Sequence, residues 1–143
     1  MKKILFLTPY VPSSRAGGEN FTRLLLEELS KSNYIDLLYF RYADDPAYVC
    51  PNDNVKVVKE IINSTMLKLK NYMSYPFMHP IFSIRFNRKI LKFIKKLVAA
   101  NNYDLLYLDH SQMALYGKYF PNIPKILMSH DVMAQRFSRQ GNA

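Results

Sequence analysis

Hydrophobic and polar positions alternate between two regimes along the chain. Ile4–Thr8 is a continuous apolar run, the pattern of a parallel strand covered on both faces. From about Gly18 to Lys31 the apolar positions Phe21, Leu24, Leu25 and Leu29 recur at helical spacing, with Glu27 and Glu28 on the wet side. A second strand is predicted at Tyr34–Arg41, and a short third at Val55–Val58 after a loop rich in Asp, Pro and Asn. Ser64–Tyr72 reads as a short helix. Ser83 is expected to cap a long one to Ala100, buried through Ile84, Ile90, Leu91, Ile94, Leu97 and Val98. Asp104–Asp109 is a fourth strand, Gln112–Tyr119 a short helix, Lys125–Ser129 a fifth strand, and Val132–Arg139 the start of a helix.

Strands alternating with helices imply an α/β fold, a Rossmann-like open parallel sheet with helices on both faces. Such sheets bind ligands outside the strands' carboxyl ends, near the topological switch point. Three loops should therefore converge: Pro9–Gly18 after the first strand, Asp109 and His110 after the fourth, and His130 and Asp131 after the fifth. The first is the most informative. A strand, a Pro-punctuated loop and a glycine pair opening a helix bring the first free N–H groups of that helix beside the strand end, a setting that favours anions. Gly17 and Gly18 suit a positive φ or close approach to a ligand, or else a tight turn. Neither the G-x-G-x-x-G fingerprint nor the G-x-x-x-x-G-K-[ST] loop is present.

With 143 residues, 49% hydrophobic and 14% aromatic, the chain suits one globular domain. The lone Cys50 excludes an intrachain disulfide and reads as a spectator thiol in a reducing, cytoplasmic compartment. No apolar run reaches the roughly 18–20 residues of a membrane span. Met1-Lys2-Lys3 and the following apolar residues lack a signal-peptide cleavage site, and Pro9 and Pro12 cut the segment early.

Charge adds a second signal. Lys and Arg number 20 against 11 acidic residues, for a net charge of +9. Between Ile61 and Tyr103 the basic residues are Lys68, Lys70, Arg85, Arg88, Lys89, Lys92, Lys95 and Lys96, and no acidic residue intervenes. Arg85, Arg88, Lys89, Lys92, Lys95 and Lys96 are expected on the long helix, opposite its apolar stripe. A basic amphipathic helix suits an anionic membrane surface. A solvated face is the plainer reading, and nucleic acid is disfavoured because no recognition motif or stacking aromatics accompany the cations.

Several segments in their order resemble one family: Thr8-Pro9-Tyr10, then Pro12-Ser13-Ser14 leading to Gly17-Gly18-Glu19, Leu25-Leu26-Glu27-Glu28-Leu29, and Tyr34 to Phe40. Asp104 to His110 and Pro124 to Val132 follow, the latter with a His-Asp pair after the fifth strand. Together they look like the amino-terminal domain of family 4 of the retaining nucleotide-sugar glycosyltransferases, over the whole chain. The resemblance implies half of a two-domain GT-B enzyme, here residues 1–143. Its donor-binding domain, with the E-x7-E signature, is not in this sequence, so transfer by the chain alone is not expected.

Residue by residue, the resemblance sets Gly17 and Gly18 against the donor diphosphate and the acceptor hydroxyl. It gives His130 a catalytic contact with the donor sugar, a helix-capping or core role being the alternative. Asp131 is either a site residue or a plain first-turn acid. Asp109 and His110 would shape the acceptor pocket, a purely structural role being the alternative, and Arg15 and Glu19, flanking the glycine pair, are placed to contact a polar acceptor. The implied partners are a nucleotide-sugar as substrate and a lipid-linked or polysaccharide acceptor, as in cell-envelope polysaccharide biosynthesis. No Asp-x-Asp is visible, so neither a metal nor another cofactor is expected. The competing class is a non-enzymatic Rossmann-like module binding a nucleotide, polyanion or protein.

Overall fold

The structure is a computed structural model that describes residues 1–15, 17–79 and 83–129. Its centre is a five-stranded sheet in which every pairing is parallel, in the order β3-β2-β1-β4-β5. The strands are β1 (Lys2–Thr8), β2 (Asn33–Arg41), β3 (Val55–Ile62), β4 (Leu105–Asp109) and β5 (Lys125–Met128). The helices are α1 (Gly17–Leu29), α2 (Thr65–Ser74), α3 (Arg88–Ala100) and the single turn α4 (Ala114–Gly117), preceded by a 3-10 turn at Ser111–Met113. The expected Rossmann-like open sheet is what the chain forms, and the chain reverses its direction of progress across the sheet between β1 and β4.

Because side chains alternate along a strand, β1 feeds two separate cores. Ile4 and Phe6 join Ile35, Leu37, Tyr39 and Tyr107 with Leu26 of α1. Leu5 and Leu7 join Leu38, Phe40, Leu106 and Leu108 beneath Ile90, Leu91 and Ile94 of α3 and Tyr116 of α4. Covering on both faces is why β1 reads as an unbroken apolar run and β2 as one interrupted by Asp36, which accepts from the Tyr103 hydroxyl at 2.6 Å.

Three expectations are corrected. In α1 the buried positions are Thr22 and Leu26, with Leu25 and Leu29 partly covered, while Phe21 and Leu24 are exposed. Three leucines in a row leave the helix phase open, and the contact of Thr22 with β4, described below, fixes it. β3 runs on to Ile62, past Lys59 and Glu60. It is an edge strand whose register shifts opposite Leu37 and Leu38, and charges and a bulge are common on such edges.

The long helix begins at Arg88, capped by Asn87 instead of Ser83. The Asn87 side chain accepts from the Lys89 N–H at 2.7 Å, its own amide donates to Asn71, and its backbone N–H donates to the Tyr116 hydroxyl. These bonds hold Asn87 extended and stop the helix from reaching Ser83. Ser83 is fully buried, and Arg85 leaves the helix for the interior. The cap expected at the start of α2 forms, Ser64 accepting from the Leu67 N–H at 3.1 Å.

Burial of tyrosines gives the fold a pH dependence. Desolvation, then the bond to Glu60, pushes the Tyr39 hydroxyl up to about 12; desolvation, then the Asp109 charge, does the same for Tyr107. Tyr48, Tyr103 and Tyr116 shift upward for the same leading reason. A raised folded pKa stabilises the neutral form, so this stability is fully present below about pH 10 and is lost as pH rises through about 12. Unfolding by urea should show a midpoint that holds up to about pH 10 and falls above it, with phenolate absorbance appearing alongside unfolding. A midpoint unchanged well above that pH would refute the assignment.

Candidate functional site

β1 and β4 end side by side at the switch point, and their last residues meet. Asp109 is fully buried, and its Oδ2 accepts from the Thr8 hydroxyl at 2.8 Å and from the Thr22 hydroxyl at 2.6 Å. Thr22 Oγ1 also lies 3.0 Å from the Gly18 carbonyl; with one proton to give, it serves the carboxylate or the carbonyl at any moment. His110 Nε2 stands 3.6 Å from the same carboxylate oxygen. A covered charge that accepts from hydroxyls on β1 and α1 ties three elements together at the site.

His110 is held in an unusual way. Its φ is 66° and its ψ 148°, a backbone region nearly reserved for glycine that costs about 1–3 kcal/mol. Its N–H extends the ladder to the Met128 carbonyl at 2.8 Å, and its carbonyl accepts from Met113 to start the 3-10 turn. The imidazole meets the Tyr10 ring edge-on at 5.3 Å. It also lies over α1, where a Cβ on Gly18 would come within 3.1 Å of its Cε1.

The glycine pair therefore works differently from the expectation. No glycine among the described residues has a positive φ; the strained backbone belongs to His110. Gly18 is needed for close approach, whereas a Cβ on Gly17 meets nothing within 4 Å. Gly17→Ala should leave the midpoint of thermal unfolding level or slightly raised, because Ala is the better helix former. Gly18→Ala should lower stability by about 1 kcal/mol or more, by pressing on an already strained His110. Equal effects of the two would remove the packing role of Gly18.

Arg15 and Glu19 sit on the rim of a neighbouring cavity of about 320 Å³, at the carboxyl ends of β1, β2 and β3. Arg15 pairs with Asp45 at 2.9 Å and lies 3.7 Å from Glu19, which also accepts from Ser13 at 2.7 Å. The Tyr42 backbone N–H, then the Arg15 guanidinium, hold the Asp45 carboxyl below its usual range. Glu19 thus places a carboxylate in the first turn of α1, where the helix dipole favours it.

Arg85 is moved from the surface to this cavity. Expected among the membrane-facing cations, it is only 3% exposed, donates from Nε to the Pro9 carbonyl at 3.3 Å, and stacks on Tyr10 with 4.8 Å from its central carbon to the ring centre. Asn87 causes this by starting α3 only at Arg88, beyond Arg85. Arg88, Lys89, Lys92, Lys95 and Lys96 remain exposed along α3.

The structure thus brings together Gly18, Asp109 and His110, and sets Arg15 and Glu19 on an adjoining wall. His130 and Asp131 lie outside the described residues. Thr8, Tyr10, Thr22 and Asn63 are the contributors that sequence reasoning missed. Thr22 had a signal, four residues after Gly18 on the face of α1 that turns toward β4. No helix among the described residues is long and apolar enough to cross a membrane. Comparison with protein-family models, curated proteins and solved structures gave no match.

Proposed function

We propose that the chain is the acceptor-side domain of a retaining nucleotide-sugar glycosyltransferase that acts on a lipid-linked or polysaccharide acceptor at the cytoplasmic face of a membrane. The observation that carries this reading is the arrangement at the switch point. Gly18 lets α1 close on a strained His110, whose Nε2 stands 3.6 Å from the buried Asp109 carboxylate. Strain at a ligand crevice is held by the surrounding structure, here by the Asp109 hydrogen bonds and the β5 ladder.

Retaining transfer breaks the bond from the anomeric carbon to the diphosphate, so negative charge grows on the leaving group and positive character on the ring. N–H groups at the start of α1 would favour the first. The acceptor hydroxyl must lie against the same face of the ring, which makes positioning much of the work. In this reading His110 and the Tyr10 ring form the acceptor wall, and His130 contacts the donor sugar. Asp109 acts through His110, since its carboxylate is covered.

The test has two parts. Titrating the chain with glycan acceptors and with nucleotide-sugars should show the acceptor bound and the nucleotide-sugar bound weakly, because the resemblance assigns the main donor contacts to another domain. The coding sequence downstream of residue 143 should encode a second Rossmann-like domain with an E-x7-E signature. Tight nucleotide or nucleic-acid binding without acceptor binding would favour the non-enzymatic module instead.

A further inference from the structure

The cavity beside the switch point contains two groups whose needs the described residues do not fully meet. Most of its charged lining is paired: Arg15 with Asp45, and Arg41 with Glu60. Arg85 differs. Almost wholly buried, it rests on the Pro9 carbonyl, the Tyr10 ring and the Tyr42 hydroxyl, and it forms no ion pair among the described residues. A buried charge without a counter-charge is costly, and a guanidinium presents paired N–H donors that match a carboxylate or phosphate. The same wall holds the Tyr42 hydroxyl, which receives a hydrogen bond from Lys68 at 2.6 Å, so a second cation stands close by.

The other group is Asn63, at the end of β3. Its backbone N–H continues the ladder to the Arg41 carbonyl at 2.7 Å, which fixes its position. The residue is only 2% exposed, and neither its amide nitrogen nor its amide oxygen has a partner among the described residues. Buried polar atoms in native proteins are nearly always satisfied, so this pair calls for a ligand or an ordered water. A primary amide both donates and accepts, as a sugar hydroxyl does. The volume, about 320 Å³, is at the small end of ligand sites.

We propose that this cavity binds a monosaccharide-sized polyol carrying one carboxylate or phosphate, with the anionic group on Arg85 and a hydroxyl on the Asn63 amide. On the reading of the chain as an acceptor-side domain, the acceptor then ends in an acidic or phosphorylated sugar. The binding itself stands on the cavity alone.

Calorimetric titration of the chain with glucuronate, glucose 1-phosphate, glucose and inorganic phosphate tests it. One of the two anionic sugars should bind at least tenfold more tightly than glucose, and which one does identifies the anionic group. Arg85→Met should weaken that ligand at least tenfold. Asn63→Ala should weaken the sugar severalfold while leaving inorganic phosphate unchanged. Circular dichroism would establish that each variant folds; should Arg85→Met unfold, the ligand panel and Asn63→Ala decide.

Glucose binding as tightly as the anionic sugars, or no sugar binding at all, would overturn the proposal and leave ordered water as the occupant. Inorganic phosphate binding as well as glucose 1-phosphate would remove the polyol. A neutral glycan acceptor bound without any anionic sugar would sink the proposal while sparing the glycosyltransferase reading. An anionic sugar bound by a chain whose full-length protein transfers nothing would do the reverse.

Discussion

Asp109→Ala should destabilise the protein by about 2–4 kcal/mol, measured by urea unfolding followed by circular dichroism. The carboxylate is fully buried, and the residues that donate to it, Thr8 and Thr22, are each 1% exposed. Truncation leaves those hydroxyls dry, at about 1–3 kcal/mol for each one that stays unsatisfied, and leaves a small void. The two are not equal. Thr22 can turn to the Gly18 carbonyl 3.0 Å away, whereas among the described residues the Thr8 hydroxyl has no other side-chain partner. The cost therefore falls mainly on Thr8. A double-mutant cycle with Thr8→Val should show a coupling of about 1–2 kcal/mol, because once Asp109 is gone the Thr8 hydroxyl has nothing to lose. The same cycle with Thr22→Val should show less. Asp109→Asn keeps an acceptor for both threonines and should cost clearly less than Asp109→Ala. A loss below about 1 kcal/mol for Asp109→Ala, or equal coupling to both threonines, would mean that the carboxylate does not anchor the switch point.

Asp109 also marks how far the sequence could be read. Its place at the end of the fourth strand followed from periodicity, and so did its convergence with the loop after β1, because an alternating pattern of strands and helices leaves few ways to order a parallel sheet. Its partners did not follow. Thr22 sits inside a helix whose apolar positions, Leu24 to Leu26, allow more than one phase, and only the tertiary contact chooses. The limits of α3 were lost for a related reason. Ser83 and Asn87 are both good caps, and the choice depends on Asn71 and Tyr116, distant in sequence. That choice decided whether Arg85 was a surface cation or the buried base of a cavity. The strain at His110 was invisible too, since nothing in a residue type announces a positive φ outside glycine. Long apolar strands are legible because burial on both faces demands them; single polar contacts are not, because they depend on register.

Changing Arg88, Lys92, Lys95 and Lys96 together to Gln should reduce binding of the domain to anionic vesicles by about three orders of magnitude at low salt. Each cation near such a surface contributes about 1 kcal/mol, and about 1.4 kcal/mol is a factor of ten. These side chains are exposed on one helix whose opposite side is anchored by Ile90, Leu91 and Ile94, so they can approach a plane together. Arg85 is excluded from the set because it is buried. The neighbouring helix strengthens the case. Asn71 of α2 accepts from Asn87 at 3.0 Å and Tyr75 accepts from Arg88 at 3.2 Å, so α2 lies against the start of α3. Met66, Leu69, Met73 and Phe77, on and just after α2, are exposed. Apolar side chains beside cations are what an interfacial helix needs, the cations drawing the domain to the surface and the apolar groups entering it. Co-sedimentation with vesicles should therefore require anionic lipid and weaken as salt shortens the Debye length from about 10 Å at 0.1 M to about 3 Å at 1 M. Met73→Ser combined with Phe77→Ser should leave a weaker binding that salt abolishes more completely, since only the electrostatic part remains. If the quadruple variant sediments like the parent, or neutral vesicles bind equally well, the basic face of α3 is a solvated surface and a lipid-linked acceptor loses its support.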